Sequence, residues 1–381
     1  MAKHFAPRRS HRLLALAGVV VVLAAGGSAL AVRAVGARGD PAAESASVPS
    51  STAPPPPLSV TPLTPAAGAK DVNGTQQVVI STSAPVDTSA VAPTISPAVA
   101  GTWTATSDQL VFTPADAYAP STTYTVTLPA GLRSTAGNVL AGAATFTFTT
   151  EAGSTLRLQQ LLAELGYLPL HWTPSPAAAT APLGQSVFNP PAGTFSWAWP
   201  NPPPTLASQW APGAYTVMVK GAVMAFESDH GLATDGIAGP EVWAALTAAM
   251  SSPNPPSNPH GYTYALANKA LPESLTVWHD GTVISTSPAN TGIAAAPTAD
   301  GTFPVYERLA TQVMRGTNPD GSHYADPVAW VAYFNGGDAI HYIARSAYGY
   351  PQSLGCVEVS YGVGKLIWPY LTIGSLVTVE G

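Results

Sequence analysis

Alternation dominates residues 58–151. Thr123-Tyr124-Thr125-Val126-Thr127-Leu128 and Thr145-Phe146-Thr147-Phe148-Thr149 switch between polar and apolar at each step, the period of a strand buried on one face. Val78-Val79-Ile80 and Gln109-Leu110-Val111-Phe112 are further β-branched or aromatic runs, and Pro-, Gly- and Asn-containing turns separate them. About seven short strands over this length predict a β-sandwich. The period changes near Glu151. Leu156, Leu158, Leu161, Leu162 and Leu165 fall at helical spacing, with Gly166 placed to stop the helix. A second helix is predicted over Lys220–His230, with Ala222, Val223 and Phe226 on one face. A third runs from Gly239-Pro240 through Val242, Trp243 and Leu246, and Pro240 suits a first helical turn. After residue 260 the pattern returns to strands. Ser274–Trp278 and Val283–Thr286 flank Asp280-Gly281, a hairpin signal. Ala329–Phe334 and Ala339–Ile343 pair around Asn335-Gly336-Gly337, and Leu376–Val379 closes the chain. A short helix is expected over Lys365–Tyr370. The fold class is mainly β with a small α module.

Punctuation divides the chain. Residues 1–34 are a leader and 35–57 a Pro-rich linker. Residues 58–151 are the sandwich, 152–250 the helical module, 251–259 a second Pro-rich linker and 260–381 a C-terminal domain. Within the helical module an insertion at about 171–214 carries Trp172, Trp197, Trp199 and Trp210. It is either an aromatic sugar-contacting surface or a packed irregular loop. In the leader, Lys3, Arg8, Arg9 and Arg12 precede Leu13–Val32, 20 residues without a charge. That is the pattern of an export signal, and the same length spans about 30 Å of hydrocarbon if it stays uncleaved as a membrane anchor. Both readings place the body outside the cytoplasm.

Charge narrows the partners. Only 9% of residues are charged, against roughly 25% in an average soluble domain. From Asp40 onward there are 9 basic and 21 acidic residues, a net of −12. Such a body is a poor ligand for a phosphate backbone, so no nucleic-acid partner is expected. Asp229, His230 and Asp235 read as turn residues rather than a metal cluster, and no metal or cofactor is expected.

The chemistry centres on a single cysteine, Cys356, in Gln352-Ser353-Leu354-Gly355-Cys356-Val357-Glu358. One cysteine excludes an intrachain disulfide and a Cys-rich zinc site. A lone thiol in an exported chain is either a reactive nucleophile or a buried, inert side chain. His341, at the end of an apolar strand, is the best placed of eight histidines to activate it. His323 is a second candidate base. Gly355 lets the backbone approach a substrate closely.

Three family resemblances follow. Gly101-Thr102-Trp103 through Thr145–Thr150 resembles bacterial Ig-like domains. Leu158–Leu168 and Ala222–Leu232, with Thr234–Trp243, resemble small peptidoglycan-binding domains, although Glu227 replaces the usual Gln. Asn290-Thr291-Gly292, Pro297-Thr298, Asp300–Val305, Ile340-His341 and Ser353-Leu354-Gly355-Cys356-Val357 resemble, in that order, an L,D-transpeptidase (YkuD-type) catalytic domain. The resemblance implies an all-β domain with Cys356 as nucleophile and His341 as base. It assigns Ser353, Gly355 and Tyr342 to the oxyanion and substrate positioning. It implies peptidoglycan stem peptides and glycan as partners, a 3→3 cross-linking acyl transfer and carbapenem sensitivity. An L,D-carboxypeptidase and a non-catalytic wall-binding protein are the alternatives. The departures are Tyr342 where Gly or Ser is usual, Leu354 where the signature has His, and Glu358 in place of Arg or Asn. The Gly-Cys-Val-Glu form resembles an actinobacterial branch.

Overall fold

The computed structural model describes residues 56–89, 92–176 and 182–381. The leader and most of the first Pro-rich linker lie outside them. Among the described residues no helix is long and apolar enough to cross a membrane.

The first module is built from β1 (Val60–Thr64), β2 (Ala69–Val72), β3 (Val78–Thr82), β4 (Val86–Asp87), β5 (Thr94–Ser96), β6 (Gly101–Ala105), β7 (Gln109–Pro114), β8 (Thr123–Leu128), β9 (Arg133–Ser134) and β10 (Ala144–Thr150). Two four-stranded sheets, β1-β3-β7-β6 and β2-β10-β8-β5, face each other, and β4 pairs with β9. The alternation does what its period demands. Tyr124, Val126, Leu128, Phe146 and Phe148 point inward, while the intervening threonines face out. Ten strands replace the expected seven because two- and three-residue pieces such as β4, β5 and β9 are too short to carry a period of their own.

The helical module holds α1 (Thr155–Glu164), β11 (Leu170–Pro174), α2 (Leu183–Phe188), β12 (Gly193–Trp197), α3 (Pro204–Ala207), α4 (Val217–Asp229) and α5 (Pro240–Met250). Ser154 caps α1 by accepting from the Arg157 N–H. Gly166 ends it with φ +75°. Its N–H reaches Ala163 O at 3.1 Å, and Tyr167 N–H reaches Leu162 O at 2.8 Å, the paired bonds of a Schellman turn. The insertion is a packed element. β11 and β12 pair from Leu170↔Trp197 to Pro174↔Gly193, and Trp172, Trp197, Trp199 and Trp210 lie half-buried against the module's core.

The C-terminal domain comprises β13 (Thr263–Asn268), β14 (Ser274–His279), β15 (Thr282–Pro288), β16 (Gly301–Pro304), β17 (Glu307–Thr317), β18 (His323–Asn335), β19 (Asp338–Tyr342), β20 (Val357–Val359), α6 (Tyr361–Ile367) and β21 (Leu376–Glu380). One sheet runs β15-β14-β13-β21-β16 and the other β17-β18-β19-β20. Between them pack Leu275, Val277, Phe334, Ile340, Val357, Val359 and Val377. Asp280 and Gly281 turn the first hairpin with φ +46° and +76°, as a type I′ turn requires. The expected helix over Lys365–Tyr370 forms earlier, at Tyr361–Ile367, because Pro369 cannot continue it. The domain is therefore not purely β.

The helical module and this domain share a core. Tyr262, Tyr264 and Leu376 belong to the same apolar cluster as Leu161, Leu206 and Phe226, and Tyr264 Oη donates to Thr205 Oγ1 at 2.6 Å. The second Pro-rich stretch is pinned at its end, with Asn258 N–H on Leu165 O at 2.8 Å. Helix α4 sits against the loop before β21 so closely that a Cβ at Gly221 would lie 2.6 Å from Gly374 O and 2.9 Å from Leu376 Cδ2. Gly221→Val is therefore expected to destabilise the protein by about 1–3 kcal/mol through overpacking, read as a lower urea midpoint. An unchanged midpoint would mean that the two modules separate freely.

Candidate active site

Strands β19 and β20 run parallel, with Ile340 opposite Val357, His341 opposite Glu358 and Tyr342 opposite Val359. Side chains alternate along each strand. Ile340, Val357 and Val359 therefore enter the inter-sheet core. His341, Glu358 and, one step earlier, Cys356 face the other way. There they border a cavity of about 660 Å³, also lined by Tyr324, Asp326, Tyr333, Asp338 and Arg345.

The predicted motifs brace the cysteine turn that borders this cavity. Asn290 pairs with Glu358 as an antiparallel bridge, and Gly292 with Ser353 as a parallel one. Thr291 O accepts the N–H of both Gln352 and Ser353, at 2.9 and 3.0 Å. Thr291 is itself gripped by the buried Glu273, which takes its N–H at 2.6 Å and its hydroxyl at 2.7 Å. Gly292 N–H donates to Thr298 Oγ1 at 2.9 Å. The Asn-Thr-Gly and Pro-Thr motifs thus hold the cysteine turn in place. Asp300–Val305 forms β16 and its flanks, a strand paired with β21.

The turn itself is tight. Ser353 Oγ donates to Cys356 O at 2.6 Å and accepts the Gly355 N–H at 3.2 Å. Gly355 has φ +119°, and a Cβ there would collide with the Asp338 carboxylate. The Ser353 hydroxyl and the Gly355 N–H are therefore engaged with the turn rather than aimed at the cavity.

Cys356 Sγ faces Gly337 O at 3.7 Å. Burial pushes the thiol up to about 12, helped by the Asp338 and Glu358 carboxylates and opposed by the Ala339 N–H. His341 is 3% exposed. Burial lowers its pKa, against the pull of Tyr342 O and Glu358. Its Nδ1 lies 3.2 Å from Tyr342 O. A carbonyl oxygen only accepts, so this bond puts the proton on Nδ1 and the lone pair on Nε2. Among the described residues no hydrogen bond joins the thiol to the imidazole.

Glu358, the unusual residue of the signature, has a partner that the sequence reading missed. Arg345 Nε donates to Oε2 at 2.9 Å and Nη2 to Oε1 at 2.5 Å. Asn290 Nδ2 adds a third bond at 3.3 Å. The carboxylate is 3% exposed and the guanidinium 30%. The signal was available: an acid buried beside the thiol requires a cation, and Arg345 is four residues past His341.

Two expectations need correction. Tyr342 does not join His341, because adjacent strand residues face opposite sides. Its ring packs on Trp330 at 5.8 Å and edge-on to Tyr361 of α6 at 5.3 Å. His323 starts β18, at the tip of the β17–β18 hairpin, exposed and bonded to Thr317 Oγ1; its neighbour Tyr324 lines the cavity and His323 does not. Asp229, His230 and Asp235 are separately engaged, with Tyr167 Oη, Phe226 O and Ile237 N–H respectively.

Residues 262–379 match the family model of the L,D-transpeptidase catalytic domain. The C-terminal domain belongs to that family. Residues 54–150 match the bacterial Ig-like domain, and residues 203–246 the putative peptidoglycan binding domain. No curated protein matches the chain. Among solved structures the chain is similar to an L,D-transpeptidase from Mycobacterium smegmatis (15% identity, 85% of this chain, 100% of that chain, TM-score 0.29). It is also similar to L,D-transpeptidase 3 from Mycobacterium tuberculosis in complex with a faropenem-derived adduct (14% identity, 85% and 98%, TM-score 0.30). A third is the catalytic domain from the E. faecium L,D-transpeptidase (26% identity, 31% and 95%, TM-score 0.29). The assignment of this L,D-transpeptidase domain rests on the family match and not on these superpositions.

Proposed function

We propose that the protein is an exported peptidoglycan L,D-transpeptidase that forms 3→3 cross-links through a thioester on Cys356. One observation carries the reading. The chain's only thiol and a buried imidazole with its Nε2 lone pair free border one cavity, in a domain of this family. His341 Nε2 takes the thiol proton as sulfur attacks the carbonyl of the third residue of a stem tetrapeptide. The C–N bond to the terminal D-Ala breaks, and the imidazolium returns the proton to the departing amine. The side-chain amine of a neighbouring stem then attacks the thioester, losing a proton to His341 and regenerating the thiol. Backbone N–H groups of the cysteine turn hold the oxyanion, and Ser353 shapes that turn. The Ig-like module acts as a spacer, and the helical module contributes wall binding. Export follows from the leader, as a cleaved signal or a retained anchor.

Burial raises the thiol and lowers the imidazole, which supports a neutral resting pair whose proton moves during attack rather than before it. Labelling of Cys356 by iodoacetamide is thus expected to rise about tenfold per pH unit from pH 7 to pH 10, since thiolate is the reactive form. Burial disfavours imidazolium, so neutral His341 persists below its ordinary 6.5 and the acid limb of kcat/KM lies below that value. A pH-independent labelling rate above pH 6 would mean a preformed thiolate–imidazolium pair.

Product analysis tests the function. A disaccharide tetrapeptide donor is expected to give D-Ala and 3→3 dimers. Tripeptide alone would make the protein a carboxypeptidase. Binding without D-Ala release would make it a wall-binding protein.

A further inference from the structure

We propose that Arg345, anchored by Glu358, is the receptor for the free carboxylate of the residue that leaves the donor stem peptide. The proposal rests on the transpeptidase reading above and makes it specific.

A guanidinium has two hydrogen-bonding edges, one formed by Nε and one Nη2 proton and the other by Nη1 and the second Nη2 proton. Glu358 occupies the first edge completely. Among the described residues the second edge has no acceptor, and Arg345 lines the cavity that holds Cys356 and His341. That edge has the fork geometry that matches a carboxylate with two parallel bonds. A purely structural ion pair does not need it.

Position agrees with the role. Cys356 immediately precedes β20 and Glu358 lies within it, two residues on and facing the same cavity, about 6–7 Å along an extended chain. The carboxylate of the leaving residue lies one residue beyond the carbonyl that sulfur attacks, roughly 3–4 Å along the peptide. A guanidinium clamped to Glu358 thus borders the same cavity as the thiol, within the reach of a single peptide unit and an arginine side chain. It is also rigid. Glu358 is bonded to Asn290 Nδ2, and Asn290 Oδ1 accepts the Gly349 N–H at 2.9 Å on the segment that carries Arg345 into β20. Holding the fork in place before the ligand arrives removes its ordering cost.

The other charged groups of the cavity fit less well. Arg315 is exposed on β17, and among the described residues no carboxylate anchors it. Asp326 adds negative potential near Arg345 without bonding it. Asp338 lies beside Gly355, bonded by Asn335 Nδ2 at 3.5 Å. The site therefore selects an acyl donor whose leaving residue ends in a free carboxylate. It selects against amidated ends and against donors extended by one residue.

The test compares release of D-Ala from a tetrapeptide donor with release of D-alaninamide from its C-terminal carboxamide, using the full chain. The wild-type protein is expected to favour the free acid in kcat/KM by about 10- to 100-fold, the range for a hydrogen bond to a charged group. In the Arg345→Gln/Glu358→Gln protein, which keeps the shapes and drops both charges, the preference is expected to fall to about threefold or less, with a raised KM for the free acid. Arg345→Lys keeps a charge against Glu358 without the fork, and an intermediate ratio is expected. A wild-type protein indifferent to amidation, or a double variant that keeps the full preference, overturns the proposal and leaves the transpeptidase reading intact. If the wild-type protein releases neither product while iodoacetamide still labels Cys356, the transpeptidase reading falls and the proposal with it.

Discussion

Cys356→Ala is expected to abolish acyl transfer, with D-Ala release falling at least about 10⁴-fold, as when a covalent nucleophile is removed elsewhere. Nothing else in the cavity replaces it. The carboxylates of Asp338 and Glu358 are held by Asn335 and Arg345, and the hydroxyl of Ser353 is bonded to Cys356 O. The side chain is small and borders an open cavity, so its loss leaves the fold in place, and a urea midpoint close to wild type is the control. The direct readout is intact mass after exposure to meropenem. The wild-type chain gains one adduct and the variant none. An adduct on both would place the acylated residue elsewhere. An unacylated wild-type protein whose thiol still reacts with iodoacetamide would indicate an accessible thiol without activation, and the wall-binding reading would move ahead.

Arg345→Ala is expected to carry a large stability cost. It leaves the Glu358 carboxylate, 3% exposed, with one side-chain donor, Asn290 Nδ2 at 3.3 Å. Removing one partner of a buried pair costs about 3–5 kcal/mol. The lower end, about 3 kcal/mol, is expected here, because the cavity admits water beside the guanidinium. The urea midpoint measures the loss, and hydrogen exchange locates it to β20 and the Asn290 bridge. Glu358→Gln on the same background removes the stranded charge and is expected to recover most of the loss. If Arg345→Ala costs less than about 1 kcal/mol, the ion pair is no more than a surface contact.

Much of this was written in the local pattern. The period-2 runs at Thr123–Leu128 and Thr145–Thr149 became β8 and β10. The leucines after Ser154 became α1, and Gly166 ended it where a left-handed residue was needed. The two candidate reactive side chains stood out in Ile340-His341 and Gly355-Cys356, but strand β20 and its pairing with β19 did not, because three residues are too few to show a period. Tyr342 was misassigned although the information was present, since a residue next to His341 in a strand must point to the other sheet face. The tryptophans of the insertion were ambiguous, because an exposed aromatic patch and a half-buried one have the same composition.

The sequence by itself determined the module types, the residues of the longer strands and helices, and a single thiol with a histidine upstream. These depend on neighbours within a few positions, where backbone geometry sets the period. Only the tertiary structure decided what surrounds the thiol. The contact of Glu273 with Thr291 spans 18 residues, that of Asn290 with Glu358 spans 68, and the register of parallel β19 and β20 bridges a loop of 14 residues, 343–356. It also decided that helix α4 and β21 share one core. Such contacts are selected by the free energy of burying whole faces and pairing buried charges. That energy belongs to the assembled fold, and no stretch of the chain carries it alone.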